Sequence, residues 1–123
     1  MSVPEGEIAL LCVLRNPRVE MAAFLPELES QLNARGIKTL VYDESLPDAC
    51  SHRMEYAATW RWDLALYLYS ADLRVFDRET IVGRAIYVAT KISPTKFGST
   101  SAKLSELLNQ LFFAYRVTAE RTH

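Results

Sequence analysis

The stretch from Trp62 to Asp77 most restricts what this chain can fold into: it is rich in Leu, Tyr, Val and Phe and holds neither glycine nor proline. Such a run reads as one extended strand, or as a strand carrying a bulge. Strict alternation puts Ala65, Tyr67, Tyr69, Ala71, Leu73 and Val75 on one face. Leu64, Leu66, Leu68, Ser70, Asp72 and Arg74 then take the other, which turns polar towards its end. Just upstream, Arg53 to Trp60 also alternates, with Met54, Tyr56, Ala58 and Trp60 set against Arg53, Glu55 and Thr59. Downstream, Asp77-Arg78-Glu79-Thr80 forms a polar turn and Ile81 to Thr90 returns as a strand, with Gly83 marking a bulge or a close approach. Three consecutive antiparallel strands, a β-meander, are therefore expected.

The elements around the meander follow from the same periodicity rules. Glu7 to Arg15 carries a continuous apolar run from Ile8 to Leu14, the pattern of an inner strand buried on both faces. Asn16-Pro17-Arg18 supplies a turn. Met21, Phe24, Leu25, Leu28 and Leu32 then recur at helical spacing, and Pro26 either sits in the first turn of a helix starting near Leu25 or kinks a longer one. Gly36 is a helix stop, and Ile37 to Asp43 alternates as a second strand. After the meander, Ser93-Pro94 and Gly98 enclose a loop. Ser99 or Thr100 can cap a closing helix whose stripe is Leu104, Leu107, Leu108, Leu111 and Phe112. The expectation is a single α/β (α+β) domain over residues 1–123, ordered β-α-β-β-β-β-α. Its sheet is mostly antiparallel with both helices on one face, its first two strands are parallel around the first helix, and residues 1–6 and 117–123 are frayed.

Composition narrows function by exclusion. Lys and Arg number 14 against 15 Asp and Glu, a formal net charge of -1, which offers no footprint for a phosphate backbone, so nucleic acid is disfavoured as a partner. Ile8 to Leu14 is too short to span a bilayer and follows acidic residues, not basic ones. Two cysteines and two histidines, without tight local spacing, do not make a metal site. Cys12 and Cys50 can be a disulfide in an oxidising compartment or two thiols in the cytosol, and spacing leaves both open.

The motifs each have a structural reading beside a functional one. Trp60-Arg61-Trp62-Asp63 offers two indoles flanking a guanidinium, either a ligand platform or the covered edge of the core. Tyr56, Tyr67, Tyr69 and Tyr87 spread over the meander, but their neighbouring arginines are balanced by acids, which favours packing or a protein interface over base stacking. Lys96-Phe97-Gly98-Ser99-Thr100 lacks the phosphate-loop pattern and reads as a helix cap. Asp43, Glu44 and Asp48 read as solvated loop charges, and His52 is the one non-terminal histidine. No catalytic, cofactor-binding or metal-binding residue is assigned.

The segment Cys50 to Gln110 resembles a family of small uncharacterised lipoproteins and periplasmic proteins of Gram-negative bacteria. The resemblance rests on a Cys after the second strand, then Tyr56-x-x-x-Trp60-x-Trp62-Asp63-Leu64-x-x-Tyr67-Leu68, a strand end at Val75-Phe76-Asp77, and Lys96-Phe97-Gly98-Ser99-Thr100. It implies the same order of elements and an envelope location, and no catalytic residues. The family's signal peptide and lipobox cysteine are not seen at the start. Either the chain begins after the anchored cysteine with Met1 added, the reading preferred, or it is a cytosolic relative. An exported chain would have Cys12 and Cys50 oxidised to each other, with a membrane link only through such an anchor. The functional expectation is a non-enzymatic cell-envelope module that binds a protein partner, or itself, through Tyr56, Trp60, Trp62, Tyr67 and Tyr69. The alternative is a small-molecule binder or hydrolase using the Trp60/Trp62 region.

Overall fold

The computed structural model describes residues 2–4, 6–89 and 99–113. The elements run β1 (Val3–Pro4), β2 (Leu10–Leu14), α1 (Phe24–Ala34), β3 (Lys38–Tyr42), β4 (His52–Asp63), β5 (Ala65–Asp77), β6 (Thr80–Val88), α2 (Thr100–Leu111) and β7 (Phe112–Phe113). The main sheet has five strands in the order β3-β2-β4-β5-β6, and β1 pairs with β7 in a separate two-stranded ribbon. β2 is parallel to both β3 and β4, whereas β4-β5 and β5-β6 are antiparallel. The α+β single domain with its meander is thus present, on a mixed sheet. The parallel β2-β3 pair around α1 is the expected one; β2 also enters beside β4, a second parallel pairing that no alternation pattern could announce.

The helices begin and end for local reasons. Pro26 occupies the first turn of α1, where its missing N–H has no partner to lose. At the other end Gly36 adopts φ +83, its amide donating to Asn33 O and that of Ile37 to Leu32 O, a left-handed cap closing the last carbonyls. α2 is capped by Ser99, whose Oγ accepts from the Ala102 amide at 3.0 Å. Both helices cover one face of the sheet: Phe24, Leu28 and Leu32 join Leu104, Leu107, Leu108 and Leu111 over Leu11, Val13, Met54, Leu73 and Val75 in one core. Leu111 lies over Gly83, where a Cβ would stand 2.8 Å from Leu111 Cδ1 and 2.9 Å from Val3 Cγ2. The bulge expected near that glycine falls at Val82, between the pairs Val75-Gly83 and Phe76-Ile81. Val3 is itself buried against this core and pairs with Phe112. Thr90, the Ser93-Pro94 to Gly98 loop with Lys96 and Phe97, and the 117–123 tail lie outside the described residues.

A smaller cluster sits on the opposite face. β3 and β4 are both parallel to β2, so residues 43–51 must bring the chain back across β2 before β4 can start. Leu46 packs there on Cys12, Tyr42 and Cys50. Cys12 and Cys50 are joined in a disulfide with Cα atoms 6.1 Å apart, inside the usual range for that bond. Of the alternatives open in the sequence, the structure brings the two sulfurs together.

Candidate binding surface

β4 and β5 outrun their neighbours. Among the described residues β2 pairs with β4 only at Cys12-Arg53 and Val13-Met54, and β6 pairs with β5 as far as Ser70-Val88, with the Ala89 amide donating to Tyr69 O just beyond. Beyond those pairs, Trp60 to Asp63 and Ala65 to Leu68 continue as a two-stranded arm closed by Leu64. Alternation places the break between the two strands at Arg61; the turn lies three residues later because both flanks of Leu64 remain in register, Trp62 opposite Leu66 and Asp63 opposite Ala65.

A bulge then decides which side each aromatic takes. The pairing steps from Thr59-Ser70 to Trp60-Leu68, leaving Tyr69 as the extra residue. Strict alternation is broken there, so Ala71, Leu73 and Val75 share the helix-covered face with Leu68 and Leu66, not with Tyr67 and Tyr69. Tyr56, Trp60 and Trp62 lie on the helix side. Tyr67, opposite Arg61, lies on the other, as does Tyr69, whose ring carries the Arg61 guanidinium 3.7 Å above its centre. The five aromatic residues singled out in the sequence therefore do not form one surface. Tyr56 is only 3% exposed, with its ring 5.7 Å from that of Phe24. Trp60 meets Phe24 edge to face at 5.7 Å, half-buried. Trp62 is 74% exposed.

Two residues outside the expected aromatic surface complete the arm. Leu64 is 93% exposed and Leu66 49%, and Leu64 holds φ +67, the left-handed region where side chains other than those of Gly, Asn and Asp are strained. The signal available in the sequence was a leucine following Asp63 where a tight turn would ordinarily carry Gly or Asn. At the base of the arm, on the same side, Met21, Ala23, Phe24, Trp60 and Thr100 surround a hollow of about 250 Å³, mostly apolar, with Glu27 at its rim. Glu27 accepts from Gln31 Nε2 at 2.7 Å and from Ser101 Oγ at 2.9 Å, and these bonds hold its carboxyl below the usual glutamate range.

The remaining polar groups are largely matched among themselves. Arg84 grips Asp72 through two bonds of 3.1 and 2.8 Å, Arg15 binds Asp43 at 2.9 Å, and Arg53 lies 3.4 Å from Glu55. Asp72 accordingly raises the Arg84 guanidinium above its ordinary value. Burial raises the Tyr42 phenol above its ordinary value. Ser51 Oγ stands 3.2 Å from His52 Nδ1, and His52 Nε2 lies 3.8 Å from Asp77 Oδ2. That last distance is too long for the carboxylate to orient the ring. This trio also sits at the far end of β4 from Trp60 and Trp62, about 30 Å along the strand. Among the described residues no three His, Cys, Asp or Glu side chains converge as a metal site, and no helix is long and apolar enough to cross a membrane. The Cys12–Cys50 pair is of the kind that persists in oxidising compartments. Neither a protein-family model nor a curated protein matches the chain.

Proposed function

We propose that this domain is a non-enzymatic binding module of the bacterial cell envelope, docking a protein partner or a second copy of itself through the β4–β5 arm. Leu64 carries the reading. A leucine that is almost fully exposed contributes little burial to the fold, and one at φ +67 strains the backbone as well. Local rules broken with no gain to the folded monomer are a mark of functional positions. With Trp62 and Leu66 beside it, the tip is an exposed apolar patch of the sort that marks interaction surfaces. The envelope location is supported by the Cys12–Cys50 pairing, and the periplasm is the compartment that the sequence resemblance favours. The test is affinity capture from an envelope extract, with the native chain and a Trp62→Ser/Leu64→Ser variant as baits. A protein identified by mass spectrometry that the native bait retains and the variant loses supports the reading; identical captures, or none, with a monomeric bait, overturn it.

A second reading, a small-molecule binder at the Trp60 hollow, is favoured by the apolar lining there. The hollow's volume of about 250 Å³ falls under the roughly 300–1,000 Å³ usual for ligand clefts, which leaves the arm as the better candidate.

A further inference from the structure

We propose that the arm's partner is a second copy of this chain, each tip seated in the other copy's Trp60 hollow; this rests on the reading of the arm as a docking element. One side of the molecule carries both halves of a contact. The projecting half is Trp62, Leu64 and Leu66 at the end of the arm, and the receiving half is the hollow lined by Met21, Ala23, Phe24 and Trp60 at its base. The tip does not fill its own hollow: Trp62 stays 74% exposed, and Leu64 is held about 13 Å from Trp60 by the strand rise. Two arms laid antiparallel about a twofold axis bring each tip over the other's hollow, the isologous arrangement in which a single patch serves both copies.

The surface involved is substantial. Aromatic side chains bury roughly 150–250 Å² each, so the exposed parts of Trp62, Leu64 and Leu66 together amount to on the order of 400 Å² per copy, within the range of the largest apolar patch a monomer ordinarily shows. That is about half of the roughly 800 Å² per partner of a standard interface, and the lining of the hollow adds to it.

Sedimentation equilibrium of the full chain tests this. The expected result is a species of twice the 14.0 kDa chain mass. Trp62→Ser/Leu64→Ser, which removes the projecting half, and Ala23→Arg, which obstructs the hollow, should each weaken dimerisation at least tenfold with unchanged circular dichroism. Should Ala23→Arg fail to fold, Ala23→Gln serves in its place. Mixing the two variants restores one intact tip-in-hollow contact per pair, so a heterodimer tighter than either homodimer is expected. A native chain that stays monomeric, or variants that dimerise as it does, overturns the proposal. So does a monomer that floats with phosphatidylglycerol vesicles through Trp62. A monomeric native chain that still captures an identified protein in a Trp62-dependent manner refutes self-association while leaving the arm as a docking element.

Discussion

Asn16 and Tyr56 hold each other twice: the Asn16 amide donates to the Tyr56 hydroxyl at 3.1 Å, and the Asn16 side chain donates to the Tyr56 carbonyl at 2.8 Å. β2 ends at Leu14 and its pairing with β4 stops at Met54, so this clasp continues the contact between the two strands where their ladder has ended. Asn16→Ala leaves the Tyr56 carbonyl without its donor and the Arg18 amide without its acceptor, whereas Tyr56→Phe orphans the Asn16 amide alone, each such group costing about 1–3 kcal/mol. Urea denaturation should rank the two variants in that order. Equal midpoints would mean that water replaces Asn16 without penalty.

Leu64→Gly relieves the left-handed backbone at the tip and surrenders almost no burial. Since a left-handed residue costs about 1–2 kcal/mol and glycine's extra unfolded-state freedom offsets about 0.5–1 kcal/mol, the variant should match or slightly exceed the native chain in stability. A loss above about 1 kcal/mol in denaturant titration would assign the leucine to the fold and not to docking.

Cys12 and Cys50 are both buried, and 38 residues separate them. A cross-link closing a loop of that size stabilises by about 4 kcal/mol in the chain-entropy model. The Cys12→Ala/Cys50→Ala variant should therefore unfold at clearly lower denaturant, by about 2–4 kcal/mol. Thiol titration of the unfolded, unreduced native protein from an oxidising compartment should find no free thiol; two per chain would refute the pairing.

Gly83→Ala places a methyl group against Leu111 and Val3. Overpacking of this kind costs about 1–3 kcal/mol. Val3→Ala in the same chain should recover part of that loss, giving a non-additive double-mutant cycle. Strict additivity would show that the helix moves away without help from Val3.

Glu27 predicts an acid-sensitive tie between the helices. Its folded-state value is depressed by Gln31 and Ser101, so the stability it contributes is present above the ordinary glutamate range and is lost as pH falls through the depressed value. Glu27→Gln should flatten that part of the stability profile by lowering stability at neutral pH, where the contribution is present, and leaving acid pH little changed. Carboxyl-carbon NMR titration should place Glu27 below the other exposed glutamates, and a normal value would remove the tie.

The sequence by itself determined both helices and the course of the main-sheet strands, because helix and strand periods are local, but not the short β1–β7 ribbon. Leu28 and Leu32, the Leu104 to Leu111 stripe, and Met54, Tyr56, Ala58 and Trp60 each fall on the buried face their spacing indicates. The stop at Gly36 and the Ser99 cap depend only on neighbouring backbone and were equally legible. Tertiary structure decided what depends on pairing between distant segments. It placed β2 between β3 and β4, brought Cys12 to Cys50, and put the extra residue at Tyr69, which moved Tyr67 and Tyr69 away from the Trp60 side. A bulge changes face without changing composition, so no alternation count could locate it. For the same reason the exposed tip at Leu64 became visible only once the two strands of the arm were set in register.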